Sequence, residues 1–297
     1  MFKKNKRIES ANYVRNYEGL FACPMCQSSM KVLESKSLVC SNHHTFDFAK
    51  QGYINFTSNS ITKYTKELFE ARRKLITEGG FYKPLSNAIA KAINDHVEKE
   101  KETIFILDAG CGEGSHLSTI CDIVSPDFFK NVTGAGIDIS KEGIMMASKN
   151  CSNKIWAVAD LVNTPFRNEQ FDVILNILSP SNYAEFNRLL KSDGLVIKIV
   201  PQSGYLKELR ECLFHKPEKQ SYSNAETVER FIENFLFIDS LRLSYTIDLN
   251  KSSLQSLVEM TPLTWTATKE RVNSFLNKDS AQITVDLEIL IGKRAFK

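Results

Sequence analysis

Long hydrophobic runs are missing from this chain of 297 residues. No stretch of about 18 apolar residues occurs, as a membrane-crossing helix requires. The basic opening MFKKNKRIES leads into no apolar leader segment. The expectation is a cytoplasmic protein with no membrane role. Internal repeats and low-complexity tracts are also absent, which excludes solenoids and fibrous arrays. Net charge is scarce: a formal +3 neither demands nor resists a nucleic-acid partner. Two nucleotide signatures are lacking as well, the phosphate loop G-x-x-x-x-G-K-[ST] and the dinucleotide fingerprint G-x-G-x-x-G.

What remains is an ordinary globular composition, 42% hydrophobic and 25% charged. The length suits one catalytic domain of about 200 residues with a small accessory module. Basic residues gather in two places, Lys3, Lys4, Lys6 and Arg7, then Arg72, Arg73 and Lys74. Either run alone is more often a solvated face than a phosphate site. Seven cysteines need an explanation other than disulfides in a reducing compartment. Cys111, Cys121, Cys151 and Cys212 are scattered and read as small buried fillers.

The other three open a metal-binding pattern, CPMCQSSMKVLESKSLVCSNHHTFDF. Cys23 and Cys26 form a C-x-x-C pair, and Cys40 opens a second half-site about 13 residues on, the spacing of a structural zinc site. Spacing leaves the fourth ligand open, since His43 would complete C-x-x-H and His44 would complete C-x-x-x-H. Four protein ligands leave no vacant position, so the metal is structural rather than catalytic.

Beyond this module, YTKELFEARRKLITEGG and PLSNAIAKAINDHVEKE carry apolar residues at helical spacing. From TIFILDAG onward, short apolar β-rich runs alternate with helical segments, the sign of a doubly wound parallel sheet. Two late strands, FLFIDSLRLSYTI and AQITVDLEILIG, follow the helices LKELRECL and AETVERFIENF. The expected division is a zinc-binding module over residues 1–58, a helical bridge over 59–100 and a catalytic α/β domain over 101–297.

The chemistry concentrates in ILDAGCGEGSH. A strand delivers Asp108 at its carboxyl end, and Gly110, Gly112 and Gly114 let the backbone approach a ligand at the sheet crevice. Glu113 would repel a pyrophosphate but welcome a cation. S-Adenosylmethionine carries an ammonium and a sulfonium, and the loop resembles motif I of class I methyltransferases. Asp138 ends the next strand where an acid can accept both ribose hydroxyls. Asp160 ends the following one, resembling the residue that accepts from the adenine amino group.

Taken together, CPMC with CSNHHTFDFAKQGYINF, ARRKLITEGGFYKPL, LDAGCGEG and the late MTPLTW resemble the RlmA-type 23S ribosomal RNA guanine-N1 methyltransferases. SPSNYAEFNRLLKSDGLVIKI resembles their Gram-positive branch. The resemblance implies a class I, Rossmann-like seven-stranded sheet behind a zinc-ribbon-like module, and methylation of a domain II hairpin in 23S rRNA, with a 748-type target favoured over a 745-type. It selects His44, which precedes Thr45, Phe46 and Asp47, as the fourth zinc ligand. It adds Tyr82 as a cofactor contact and puts Tyr205 where the family usually has histidine. A homodimer follows by analogy alone. NILSPSNY lies where related enzymes place the loop that holds the base, which makes Asn176, Ser179, Asn182, Tyr183 and the nearby Glu185 the weak candidates for catalysis. The rival expectations are a small-molecule methyltransferase with a zinc clip and a nucleic-acid-binding regulator that senses S-adenosylmethionine.

Overall fold

A computed structural model describes residues 5–57, 63–99, 101–124, 129–214 and 223–295; Lys3 and Lys4 lie outside them. Helix α1 (Lys6–Arg15) leads into a small antiparallel sheet of β1 (Met30–Leu33), β2 (Ser37–Cys40) and β3 (Thr45–Asp47). After β4 (Ile54–Asn55) come two amphipathic helices, α2 (Lys66–Thr77) and α3 (Lys83–His96). Thr65 caps α2 by accepting from the Leu68 amide, and Pro84 sits in the first turn of α3, where its missing N–H costs nothing.

The large sheet is built from β5 (Thr103–Ala109), β6 (Asn131–Asp138), β7 (Ile155–Val158), β8 (Phe171–Ile177) and β9 (Leu190–Pro201), all parallel. Helices α4 (Ser115–Ile123), α5 (Lys141–Asn150) and α6 (Tyr183–Leu189) connect them, and α7 (Lys207–Leu213) and α8 (Ala225–Asn234) follow. β10 (Phe235–Asn250) and β11 (Ser280–Arg294) are antiparallel and enclose α9 (Lys251–Met260) and α10 (Lys269–Leu276), two helices absent from the sequence reading. The strand order is β10-β11-β9-β8-β5-β6-β7-β4. β8 is buried at all seven positions, so its apolar residues do not alternate with exposed ones, and its two polar residues are buried with partners, Asp172 with Lys101 and Lys191 and Asn176 with Lys198.

Two features depart from the expected pattern. The sheet has eight strands, because β4 from the N-terminal region adds parallel to β7, with Ile54 opposite Ala157 and Asn55 opposite Val158. And among the described elements no helix joins β7 to β8. The N-terminal module covers that gap. Phe21 forms an antiparallel bridge with Phe166, their rings 5.4 Å apart. The Ala22 amide donates to the Pro165 carbonyl at 3.1 Å, and the Arg167 amide to the Leu20 carbonyl at 2.9 Å. Phe21, Cys23, Leu38 and Phe48 share one apolar cluster with Leu107, Ile137 and Ile174 of the sheet. The cysteine-bearing module therefore closes one face of the catalytic sheet and shares its apolar core. Helices α2, α3, α4, α5, α7 and α9 contribute to the cluster on the other face.

Candidate functional site

Cys23, Cys26, Cys40 and His44 present ligand atoms that all lie within 4.8 Å of one another. Cys26 Sγ is 3.7 Å from Cys40 Sγ, and His44 Nδ1 is 3.4 Å from Cys23 Sγ and 3.5 Å from Cys40 Sγ. A zinc ion with Zn–S near 2.3 Å and Zn–N near 2.0 Å in a tetrahedron puts its ligands about 3.8 Å (S to S) and about 3.5 Å (S to N) apart. The donor set fits that ion in chemistry and spacing. Two tight turns create it: the Gln27 amide donates to the Cys23 carbonyl at 2.7 Å, and the Cys40 amide to the His44 carbonyl at 3.0 Å. The Ser28 hydroxyl, 3.0 Å from Cys26 Sγ, holds that thiol down to about 5 and so favours the thiolate that a metal takes. His43 has a left-handed backbone (φ 63°) and is exposed, outside the cluster.

The second site sits at the carboxyl end of β5, between β6 and β8, where the strand order reverses. Gly110 has φ +85°, and a Cβ there would fall 1.9 Å from Ser179 Oγ, so only glycine lets this loop lie against the segment after β8. Gly112, also left-handed, donates its amide to Asp138 Oδ2 at 2.8 Å, while Ser140 donates to Asp138 Oδ1 at 2.7 Å. Asp138 thus ties the loop to the end of β6. Gly114, left-handed too, caps α4. Asp160 is exposed just beyond β7, accepting from the Val162 amide at 3.0 Å, and Ala159 pairs back to Asp138.

Buried polar atoms that make no hydrogen bond converge here. Asp108 Oδ1, Glu113 Oε1, Arg72 Nε and both ring nitrogens of His116 have no hydrogen-bond partner among the described residues. Such atoms are expensive inside a protein unless a ligand satisfies them. Arg72, on α2, places Nε 3.5 Å from Glu113 Oε1. Burial works against its charge, but Glu113, then Tyr82, Asp108 and Asp138, outweigh burial and hold the guanidinium positive. Burial pushes the Asp108 carboxyl up to about 7, and raises Glu113 and Asp138 as well. Burial takes His116 down to about 3, so it is neutral. The Tyr82 and Tyr205 hydroxyls meet at 2.5 Å, and the Tyr82 ring lies 5.1 Å from that of His116. A ligand with an ammonium, a carboxylate and a sulfonium fits this mixture: acids for the cations, and Arg72 for the anion.

The structure brings Tyr82, Asp108, Gly110, Gly112, Glu113, Gly114, Asp138 and Tyr205 around one crevice. The weak catalytic candidates other than Ser179 are engaged in holding the structure. Asn176 is fully buried, donates to the Ala109 and Pro180 carbonyls (2.9 Å each) and accepts from Ser181 and Lys198, so its amide is used up in holding the loop. Asn182 caps α6 through the Glu185 amide and donates to the Leu161 carbonyl. The Tyr183 ring packs on Phe186, Phe231 and Phe235. Burial raises Glu185, yet Arg188 and then Thr164 outweigh it and leave the carboxyl low, a salt-bridged group ill suited to take a proton. Ser179 stands against Gly110. Sequence reading missed Arg72, seen only as part of a basic run, and His116 and Lys198, which carry no motif. Lys198 is 4% exposed and donates to Asn176 Oδ1 (2.6 Å), Ser181 Oγ (2.6 Å) and the Ser179 carbonyl (3.3 Å).

A doubly wound sheet with two terminal antiparallel strands and an acid-lined glycine loop defines a class I S-adenosylmethionine-dependent methyltransferase, here with a built-on zinc ribbon. Comparison with known proteins narrows this. Residues 21–57 match the family model described as RlmA, N-terminal, a zinc ribbon, and residues 106–194 match a methyltransferase domain. The chain is 49% identical over 93% of its length to YxjB of Bacillus subtilis (strain 168), covering 97% of that protein, which carries a provisional 23S rRNA (guanine-N(1)-)-methyltransferase name. It is 27% identical over 84% of its length to the 23S rRNA (guanine(748)-N(1))-methyltransferase of Streptomyces fradiae, covering 88% of it. The chain belongs to the RlmA-type 23S rRNA (guanine-N1)-methyltransferase family.

Proposed function

We propose that this protein transfers a methyl group from S-adenosylmethionine to N1 of a guanine in a domain II hairpin loop of 23S rRNA, at a 748-type position. The observation that carries the reading is the union, through one apolar cluster, of a Cys3His zinc ribbon with the acid-lined crevice. The names of the relatives in Bacillus subtilis and Streptomyces fradiae support the RNA target, and the second of them supports the finer position.

The bound cofactor supplies an electrophilic methyl group on a positively charged sulfur. The chain supplies the rest. Asp108 and Glu113 offset positive charge, Arg72 receives the carboxylate, and Asp138 with Asp160 lines the path toward ribose and adenine. Tyr82 and Tyr205 wall the methionine end with a pair of hydroxyls in contact. The segment after β8 is held rigid by Asn176 and Lys198 and sets Ser179 beside the loop. Rigid placement matters because the leaving group is good and alignment can supply much of the rate. N1 lies on the Watson–Crick edge, so the guanine enters unpaired. As the N1–C bond forms, the S–C bond breaks and the N1 proton leaves to solvent or a nearby acceptor.

Incubating the protein with labelled cofactor and 23S rRNA from cells that lack it tests the reading. Label should enter one guanine of the domain II hairpin. Transfer to small molecules but not to RNA would favour the small-molecule reading, and tight cofactor binding with no transfer would favour a sensor.

A further inference from the structure

Lys198 is a buried cation with no counter-ion among the described residues. It lies on β9, opposite Asn176 of β8 and Leu290 of β11, and its ammonium spends all three N–H bonds on neutral oxygens. These are Asn176 Oδ1 and Ser181 Oγ, at 2.6 Å each, and the Ser179 carbonyl at 3.3 Å. Val196, Lys198 and Val200 alternate onto the side of the sheet that α6 and α8 cover. The charged groups on that side have other partners. Glu185 of α6 holds Arg188, Asp286 of β11 holds Arg242, and Glu288 accepts from Gln202 and Asn224. Arg230 of α8 acts on Tyr183, which burial keeps neutral. The crevice acids Asp108, Glu113 and Asp138 act on Arg72 and not on the lysine. Burial alone moves the ammonium, down to about 8, so it is charged at neutral pH. A donor for three neutral oxygens needs no charge, and a buried charge without a partner is expensive.

All three acceptors lie in residues 176–181, the segment proposed to receive the base, and Ser179 of that segment stands against Gly110 in the glycine loop. The proposed reaction makes an anion at that place. Guanine N1 is a poor nucleophile while it holds its proton, and the deprotonated base carries a negative charge shared between N1 and O6. We infer that Lys198 is a positioning residue for this charge: its ammonium, one hydrogen bond behind the base-receiving segment, stabilises the N1-deprotonated guanine through the protein interior. The inference rests on the proposed transfer to guanine N1. Lys198 is not the group that takes the proton, since its three N–H bonds are all donated and an ammonium has no lone pair. The proton leaves to solvent, the N1 electron pair forms the N1–C bond, and the S–C pair stays on sulfur as a neutral thioether. The base is more negative on this path than in its resting form, so the attraction grows toward the transition state and acts on kcat.

Lys198→Gln and Lys198→Met separate charge from hydrogen bonding, since glutamine keeps a donor and methionine keeps neither. Single-turnover methyl transfer is measured from about pH 6 to about pH 9 on two transcripts of the domain II hairpin, one with guanine and one with 8-azaguanine, whose N1 proton is more acidic. On guanine both variants should be slower than the wild type by about ten- to a hundred-fold at about pH 7, the effect of one charge several ångströms away in a protein interior. On 8-azaguanine, which ionises more readily unaided, the loss should shrink to about three-fold or less. Unchanged zinc content and cofactor affinity accompany a folded variant. A glutamine variant as fast as the wild type on guanine, or an equal loss on both bases, would reduce Lys198 to a structural donor and overturn the inference while leaving the reaction standing. The wild type gives a second reading that needs no variant. Its rate on guanine should level off at a lower pH than the one at which N1 titrates in the free transcript, and levelling only at that higher pH would overturn the inference. No transfer to either transcript by the wild type would refute the reaction, and the inference with it.

Discussion

Acidification should loosen the cofactor. Burial raises the Asp108 carboxyl to about 7, and a carboxyl must be ionised to hold a cationic ligand. With a single proton coupled to binding, affinity falls by about fifteen-fold between about pH 7 and about pH 5.5, whereas an ordinary carboxyl would change it by only a few per cent. The groups facing Asp108 do not blur the expectation. Arg72 stays charged, His116 at about 3 stays neutral, and Glu113 and Asp138, themselves raised, can only steepen the fall. The same shift acts on stability. The folded carboxyl binds its proton below about 7 and the unfolded one below 3.8, so the unliganded protein loses stability as pH rises through that window. A bound cation reverses this, and the rise in Tm caused by S-adenosylmethionine should therefore be larger at about pH 7 than at about pH 5.5. Calorimetric titration across this range in wild type and Asp108→Asn checks both. Affinity flat with pH, or the same slope in Asp108→Asn, would refute the assignment of the cationic subsite to Asp108.

Further outcomes follow from single contacts. His44→Ala should lose zinc and His43→Ala keep it, as measured by metal content after gel filtration; the reverse would mean that the ligand register is displaced by one residue. Phe21→Ala removes a fully buried ring from the shared cluster and should cost about 3–5 kcal/mol, and chelating the zinc should lower the midpoint of one common unfolding transition; a separate transition for each part would contradict the shared cluster. Gly110→Ala should weaken both cofactor binding and turnover by steric overlap with Ser179, and Ser179→Gly should restore part of the loss if that overlap is the cause. Lys198→Met leaves Asn176 and Ser181 short of a donor, costing about 1–3 kcal/mol, and should lower kcat with little change in cofactor affinity; a fall in cofactor affinity alone would argue against its hold on the base-receiving segment.

The strands were legible because a parallel sheet buried on both faces writes itself as short apolar runs, and β5 to β9 were named from theirs. The glycine loop and its acids were legible for a related reason: only glycine tolerates the backbone at Gly110, so the spacing survives as a signature. The fourth zinc ligand was not readable from spacing, and the fold separates the histidines by a left-handed turn that sends His43 out and His44 in. The strand β4 is two residues long, and two residues carry no period. The missing helix after β7 was hidden because the element that covers the gap lies over a hundred residues earlier in the chain, paired through Phe21 and Phe166. Asn176 looked like a base-binding residue by position, but only the structure shows its amide spent on Ala109, Pro180, Ser181 and Lys198. Arg72 and Arg73 are neighbours in sequence with different partners, one beside Glu113 and one donating to Ser115, a division that composition does not show.

The central claim is that an RNA base meets a methyl donor in this crevice, and mass mapping of 23S rRNA from cells with and without the protein tests it most directly. Loss of one N1-methylguanosine from the domain II hairpin, restored by the wild type and not by Asp108→Asn, is the predicted result; identical methylation in both strains would contradict it.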